Sequence, residues 1–305
     1  MGKKILAGAG LSAVGIDALY RYVFCRNKGP MGAILPDRAH HDEGYYALRD
    51  GTAAALREKK PCLRYSMVNK YGLELRGFYY PCGEKPGKKI AFIVHGYRSE
   101  HAETAGMFYE YYHSRGFDVF ACDHGAAGVS QGQIIGYDVL ESEDCLRWID
   151  FLKEEFGGDI QIILHGFSMG GATVLKMSDR VPDNVKFIIS DSGFSNARGL
   201  IECNIGPLYH LMRLVNFAVG RYDINAADVR QNVKNSSVPI LFVHGELDPT
   251  VPFAMGKELY ELCTVEKDCL FTPDAKHIEN MYRHPREYAE KMDEFIGKYV
   301  ILISD

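Results

Sequence analysis

Gly166-Phe-Ser168-Met-Gly170 follows directly on Ile160-Gln-Ile-Ile-Leu-His165, a run of branched apolar residues. Such a run reads as a strand buried in a parallel sheet. Glycines two positions either side of a serine let the chain reverse sharply, and Ala172-Thr-Val-Leu-Lys-Met-Ser178 can then continue as a helix. A serine on that turn stands at the carboxyl edge of the sheet with its hydroxyl exposed, and the next amide opens a helix. The chemistry expected of Ser168 is nucleophilic attack. A turn serine needs none of this context, so the strand before and the helix after carry the assignment.

A hydroxyl is a weak nucleophile at neutral pH and needs a base, which in turn needs a partner to orient it. Val238-Pro-Ile-Leu-Phe-Val-His-Gly245 is a second apolar strand, and Asp248 lies in the loop behind it. Asp268-Cys-Leu-Phe-Thr272 is a third, followed by His277 and then by a helix expected from about Pro285 to Tyr299. Loops at the carboxyl ends of parallel strands gather on one side, so Ser168, Asp248 and His277 can converge. Ser130, Ser192 and Ser195 also lie near strand ends but lack the paired glycines. Asp123 precedes the nucleophile and Asp191 ends the strand directly after it, so both fit the order less well than Asp248. Asp274 is close in sequence to His277 for a partner from another loop. His95, His165 and His244 each close a strand just before glycine, which suggests a structural layer beneath the site.

These motifs together resemble the α/β-hydrolase superfamily, in its compact bacterial serine esterase-like branch. His95-Gly96-Tyr97 after Ile90-Ala-Phe-Ile-Val94 resembles the family's oxyanion loop. Asp123-His-Gly-Ala-Ala-Gly128-Val-Ser130 resembles its Asp-x-Arg-Gly-x-Gly-x-Ser loop, with His124 and Gly125 departing from the pattern. The resemblance runs from about Leu63 to the C-terminus. It implies that His277, held by Asp248, takes the proton of Ser168 as the hydroxyl attacks an acyl carbon. Backbone N–H groups of Tyr97 and Met169 would meet the developing oxyanion, and water would release the acyl-enzyme. No cofactor or metal is expected. The implied substrate is a small-molecule acyl ester. Acyl transfer and thioester hydrolysis use the same residues, and a non-catalytic ligand-binding module is the alternative from another class.

The rest of the chain agrees. With 305 residues and 47% hydrophobic content, one large core can be buried. A net charge of −5 without a basic stripe argues against nucleic acid as a partner. Eight scattered cysteines without a Cys-x-x-Cys spacing argue against zinc and suit a reducing compartment. Residues 63–68 and 73–80 alternate and read as an antiparallel hairpin. Helices are expected at about 101–115, 137–156, 170–180 and 253–262. The alternation of strands and helices means a mostly parallel sheet covered on both faces.

Two segments stand apart. Residues 1–60 form an N-terminal helical extension to a catalytic domain over 61–305. Its uncharged run from Ile5 to Ile16 is shorter than the ~20 residues of a spanning helix. A weak membrane anchor near 5–24 remains an expectation beside a cytoplasmic protein, with secretion less favoured. The insertion at about 195–238 is helical and apolar and is expected to cap the site, with Tyr209, Met212 and Phe217 facing substrate. Oligomeric state is not legible.

Overall fold

The protein, seen here as a computed structural model, is described over residues 12–33 and 41–301. Eight strands form one sheet: β1 (Leu63–Val68), β2 (Glu74–Tyr80), β3 (Lys89–Val94), β4 (Asp118–Asp123), β5 (Gln161–Phe167), β6 (Val185–Asp191), β7 (Ile240–Gly245) and β8 (Lys267–Thr272). They lie in the order β1-β2-β4-β3-β5-β6-β7-β8. β1 and β2 are the antiparallel hairpin read from the sequence, and β2 also runs antiparallel to β4. All other pairings are parallel. The carboxyl ends of β5, β7 and β8 therefore share one edge, and the loops behind them carry Ser168, Asp248 and His277.

The pleat divides the core in two. On β3, Ile90, Phe92 and Val94 enter one apolar cluster, and Ala91 and Ile93 enter the other. Eleven helices are described: α1 (Ala13–Phe24), α2 (Glu43–Glu58), α3 (His101–His113), α4 (Val139–Phe156), α5 (Met169–Lys176), α6 (Ala197–Ile205), α7 (Leu208–Val219), α8 (Arg230–Lys234), α9 (Phe253–Leu262), α10 (Asn280–Arg283) and α11 (Pro285–Tyr299). Residues of α1, α4 and α5 pack into the first cluster, while α2, α3 and α11 build the second. Trp148 of α4 is fully buried between Phe120 and Phe151. α2 lies directly on α3, where Gly106 leaves room for the Thr52 carbonyl; a side-chain carbon there would sit 2.8 Å from it.

The N-terminal segment is tied into the body built on the sheet. No helix among the described residues is long and apolar enough to cross a membrane. The anchor expected near 5–24 enters the described structure as α1, while residues 5–11 lie outside the described residues. α1 buries Leu19, Tyr20, Val23 and Phe24. Phe24 meets Tyr137 edge-on and lies against Tyr20. The Tyr20 hydroxyl bonds to Asn216 of α7 at 3.2 Å. An aromatic side chain held this way belongs to the core. Phe24→Ala is expected to cost about 3–5 kcal/mol, read as a lower midpoint in urea unfolding. A loss below ~1 kcal/mol would mean that α1 only rests on the surface.

A second device holds the loop after β3. His101, at the start of α3, lies 3.0 Å from Asp123 and 2.9 Å from Glu100 through Nδ1, and its ring stacks on Phe78. Burial works against its charge, but the hydrogen bonds and charges of Asp123 and Glu100 outweigh burial and hold its pKa above the ordinary value. Stability from this cluster is then complete below the unfolded histidine value of about 6.5 and is lost as pH rises through the raised one. The difference in unfolding free energy between the wild type and His101→Gln should shrink across that window. A difference independent of pH from 6 to 9 would remove the protonated imidazole from the account.

Candidate active site

β5 ends at Phe167, and Ser168 follows with φ 55° and ψ −116°, a left-handed conformation that costs a non-glycine residue energy. Its surroundings enforce it. A side-chain carbon on Gly166 would lie 2.1 Å from the Gly170 carbonyl oxygen, and one on Gly170 would lie 2.1 Å from that of Val94. The Ser168 amide donates to the Asp191 carbonyl at 2.8 Å, which pins the turn to β6. Met169 opens α5, so its amide belongs to the first turn, where a helix supplies no internal acceptor.

Ser168 Oγ is 2.8 Å from His277 Nε2, and His277 Nδ1 is 2.6 Å from Asp248 Oδ2. With Nδ1 donating to the carboxylate, Nε2 is left as an acceptor for the hydroxyl proton. Asp248 is fixed from its other oxygen by the amides of Thr250 at 2.8 Å and Val251 at 2.9 Å. Burial alone would raise its pKa. The charges of His277 and His244 and their hydrogen bonds win, and hold the carboxyl well below its usual range. His277 is itself only 5% exposed, and the next amide, Ile278, donates to Ser192 Oγ at 3.2 Å.

The other candidates have different partners. Asp191 accepts from Ser192 and Tyr288, and burial pushes its carboxyl up to about 6. Asp123 is bound to His101 and to the Val129 amide. Asp274 pairs with His284. Ser130 Oγ donates to the Asp123 carbonyl, and Ser195 meets Asn196. The three strand-end histidines are buried beneath the site. His95 bonds to Gly96 O and the His124 amide, His244 to Val251 O, and His165 to the hydroxyls of Tyr112 and Tyr288.

The loop carrying Tyr97 presses on Ser168. A side-chain carbon on Gly96 would lie 3.2 Å from Ser168 Cβ. Its outer side is latched to the end of α1. The hydroxyls of Tyr97 and Tyr137 donate to Val23 O at 2.7 and 2.8 Å. The Arg98 guanidinium donates to the carbonyls of Arg21, Tyr22 and Cys25. Arg26 reaches the departing loop after β4 and donates to the carbonyls of Ser130 and Gly128. Neither the latch nor the reach of Arg26 has a local sequence signal, because both join segments about 75 to 115 positions apart.

Two cavities open on Ser168. The larger, about 650 Å³, is lined by Arg26, His41, Tyr45, Arg49, Phe108 and His277 among others. The smaller, about 180 Å³, is lined by Val23, Tyr137, Met169, Phe194, Leu200, Ile201 and Ile205 among others. Tyr209, Met212 and Phe217 line neither. Gly206, at φ 57°, and Pro207 break the insertion into α6 and α7. α6 faces the cavity with Leu200, Ile201, Asn204 and Ile205, a stripe at helical spacing. α7 turns away: Tyr209 and Met212 are buried, with the Tyr209 hydroxyl on the Asn225 amide, and Phe217 is 66% exposed. The stripe 200/201/204/205 was the readable signal for the cap lining.

Two groups bring three metal-type ligand atoms within 4.8 Å: Cys122, His124 and Cys145, and Glu100, His101 and Asp123. The second is satisfied by its own ion pairs. In the first, burial pushes the Cys145 thiol well up and the His124 imidazole well down. The first shift opposes the thiolate a metal requires, while the second leaves His124 as the neutral imidazole a metal takes.

A family model for serine aminopeptidases of family S33 matches residues 85–221, which include the turn at Ser168 and the loop with Tyr97. The chain is 27% identical over 236 residues to the uncharacterized protein YfhR of Escherichia coli strain K12, covering 74% of this chain and 78% of that one. It is 31% identical over 171 residues to lysophosphatidylserine lipase ABHD12 of Danio rerio, covering 53% of this chain and 43% of that protein. Among solved structures, the Pyrococcus furiosus esterase Pf2001 superposes with a TM-score of 0.63 at 20% identity, covering 88% of this chain and all of that one; at that identity the likeness speaks for the fold. The family match and the lipase relative support a hydrolase. With its eight-stranded sheet and the turn at Ser168, the chain has the α/β-hydrolase fold, and the family model and the relatives support a place in that superfamily.

Proposed function

We propose that the protein is a serine hydrolase of carboxylic esters working through an acyl-enzyme. The observation that carries this reading is the unbroken relay from Ser168 Oγ through His277 to Asp248, at 2.8 and 2.6 Å. His277 takes the hydroxyl proton as Ser168 Oγ bonds to the acyl carbon. The carbonyl electron pair moves onto oxygen, facing the amides of Tyr97 and Met169. As the tetrahedral species collapses, the bond to the alcohol oxygen breaks, and His277 gives that oxygen the proton. Water then repeats the sequence in reverse and frees the acid. Asp248 holds the imidazole tautomer and stabilises its cation without accepting the proton.

An aminopeptidase reading, raised by the family model's description, needs an acidic group to receive a substrate's free ammonium. Glu103 is the sole carboxylate among the described residues lining the larger cavity, against four cationic side chains. The ester is also the easier bond to break, since its alcohol leaves more readily than an amine.

A fluorophosphonate probe is expected to label the wild type, and Ser168→Ala is expected to abolish labelling and turnover of short-chain aryl esters. Asp248→Asn should fold and lower kcat by ~10⁴, the loss typical when the imidazole is held in the wrong tautomer. Labelling that survives in Ser168→Ala would overturn the assignment of the nucleophile.

A further inference from the structure

We propose that the alcohol half of the ester carries an anionic oxyacid, a carboxylate or a phosphate, while its acyl half is short and apolar. This rests on the ester-hydrolase reading above and assigns the two halves of the substrate to the two cavities.

The direction of the chemistry orients the ester. Tyr97, Arg98, Ser168 and Thr250 line both cavities, so the two meet at the nucleophile. His277 lines the larger one, and Met169, whose amide faces the oxyanion, lines the smaller. The leaving oxygen must receive its proton from His277, so the alcohol half lies in the larger cavity. The acyl half then enters the smaller, among Val23, Phe194, Leu200, Ile201 and Ile205. At about 180 Å³ that space is below the ~300 Å³ of an ordinary ligand pocket, which limits it to a short chain or one ring.

The charge of the larger cavity is opposite to that of the chain. The protein carries a net −5, yet Arg26, Lys28, Arg49 and Arg98 line this wall and Glu103 is its single described carboxylate. Among the described residues, Arg26 and Arg98 take backbone carbonyls as hydrogen-bond partners. Carbonyls satisfy N–H groups without cancelling charge. Arg49 adds a further guanidinium to this wall, its charge partly offset by the exposed Asp50. In a cleft, such charges focus on an incoming anion more strongly than on open surface. Guanidinium forks match carboxylate and phosphate oxygens in geometry as well as charge.

If the arginines served only to clamp the loop and α1, charge on the substrate would be irrelevant, and matched esters separate the two cases. The full-length enzyme is assayed with 4-butyryloxybenzoate against 4-butyryloxybenzamide, and with 1-butyrylglycerol 3-phosphate against 1-butyrylglycerol. The anionic member of at least one pair is expected to show kcat/KM about tenfold above its neutral partner at low salt. The ratio should fall toward one as ionic strength approaches ~1 M. In the double variant Arg26→Gln, Arg49→Gln the ratio should collapse in the same way, mainly through KM. Preference in the first pair alone identifies a carboxylate, and in the second alone a phosphate. A ratio of one or less in both pairs overturns the inference while leaving ester hydrolysis standing, as does a preference indifferent to salt. Because the salt series uses the wild type, it decides the matter even if the double variant misfolds. Turnover of none of the four esters by an enzyme still labelled at Ser168 overturns the ester reading, and this inference with it.

Discussion

The constraint on which the site depends is the approach of Gly170 to the carbonyl of Val94. α5 starts so close to the end of β3 that any side chain at Gly170 would overlap that backbone, and Gly166 is under the same restriction from Gly170. Three elements meet there: β3, β5 and α5. Their closeness forces Ser168 into its left-handed conformation and brings Gly96 within van der Waals reach of it. The strain is local and is held by its surroundings, above all the amide bond from Ser168 to Asp191 and the buried strands on both sides. Relaxing the turn would withdraw the hydroxyl from His277 and the Met169 amide from its place beside it.

The sheet edge does the remaining positioning. Asp248 and His277 sit on adjacent strand ends, β7 and β8, and the loops between them are fastened by backbone amides rather than by long side chains. Beneath them lies a buried polar layer, His165 between Tyr112 and Tyr288, and Tyr288 on Asp191. Asp191 is sensitive to this burial, which favours its neutral form, whereas Asp248 lies beside two imidazoles and is held ionised. Two aspartates at strand ends on one edge thus differ by their neighbours, and Asp248, hydrogen-bonded to His277, is the one whose charge an imidazolium there would meet.

The strands, their order along the chain and the three residues of the relay were legible because their signals are local. Apolar runs that end in glycine, and a serine between glycines, depend on residues within ten positions of one another. The expected helices at 253–262 and 285–299 coincide with α9 and α11. What escaped the sequence joins distant segments. Nothing around Arg98 says that its guanidinium ends α1, and nothing around Arg26 says that it reaches Gly128 and Ser130. The insertion shows the same division. Its helices were readable, but which of them faces the cavity follows from the turn at Gly206-Pro207 and from the docking of α7 against α1. Tyr209 and Met212 were read as lining because they are apolar and on the right segment, and they are buried for that same reason.

The segment before residue 60 therefore has a larger part in the site than an appendage would. α1 brings Val23 to the smaller cavity, and its last carbonyls accept from Tyr97, Arg98 and Tyr137. Cations at the C-terminal end of a helix also face its negative pole, which adds to the carbonyl bonds of Arg98. α2 supplies Tyr45 and Arg49 to the larger cavity. The elements that hold Ser168, His277 and Asp248 belong to the sheet, while much of the wall chemistry that surrounds them comes from outside it. Selection in such an arrangement can act on the walls that α1, α2 and α6 supply without disturbing the turn, because Gly166 and Gly170 make their closest contacts with the backbone of β3 and of the turn itself.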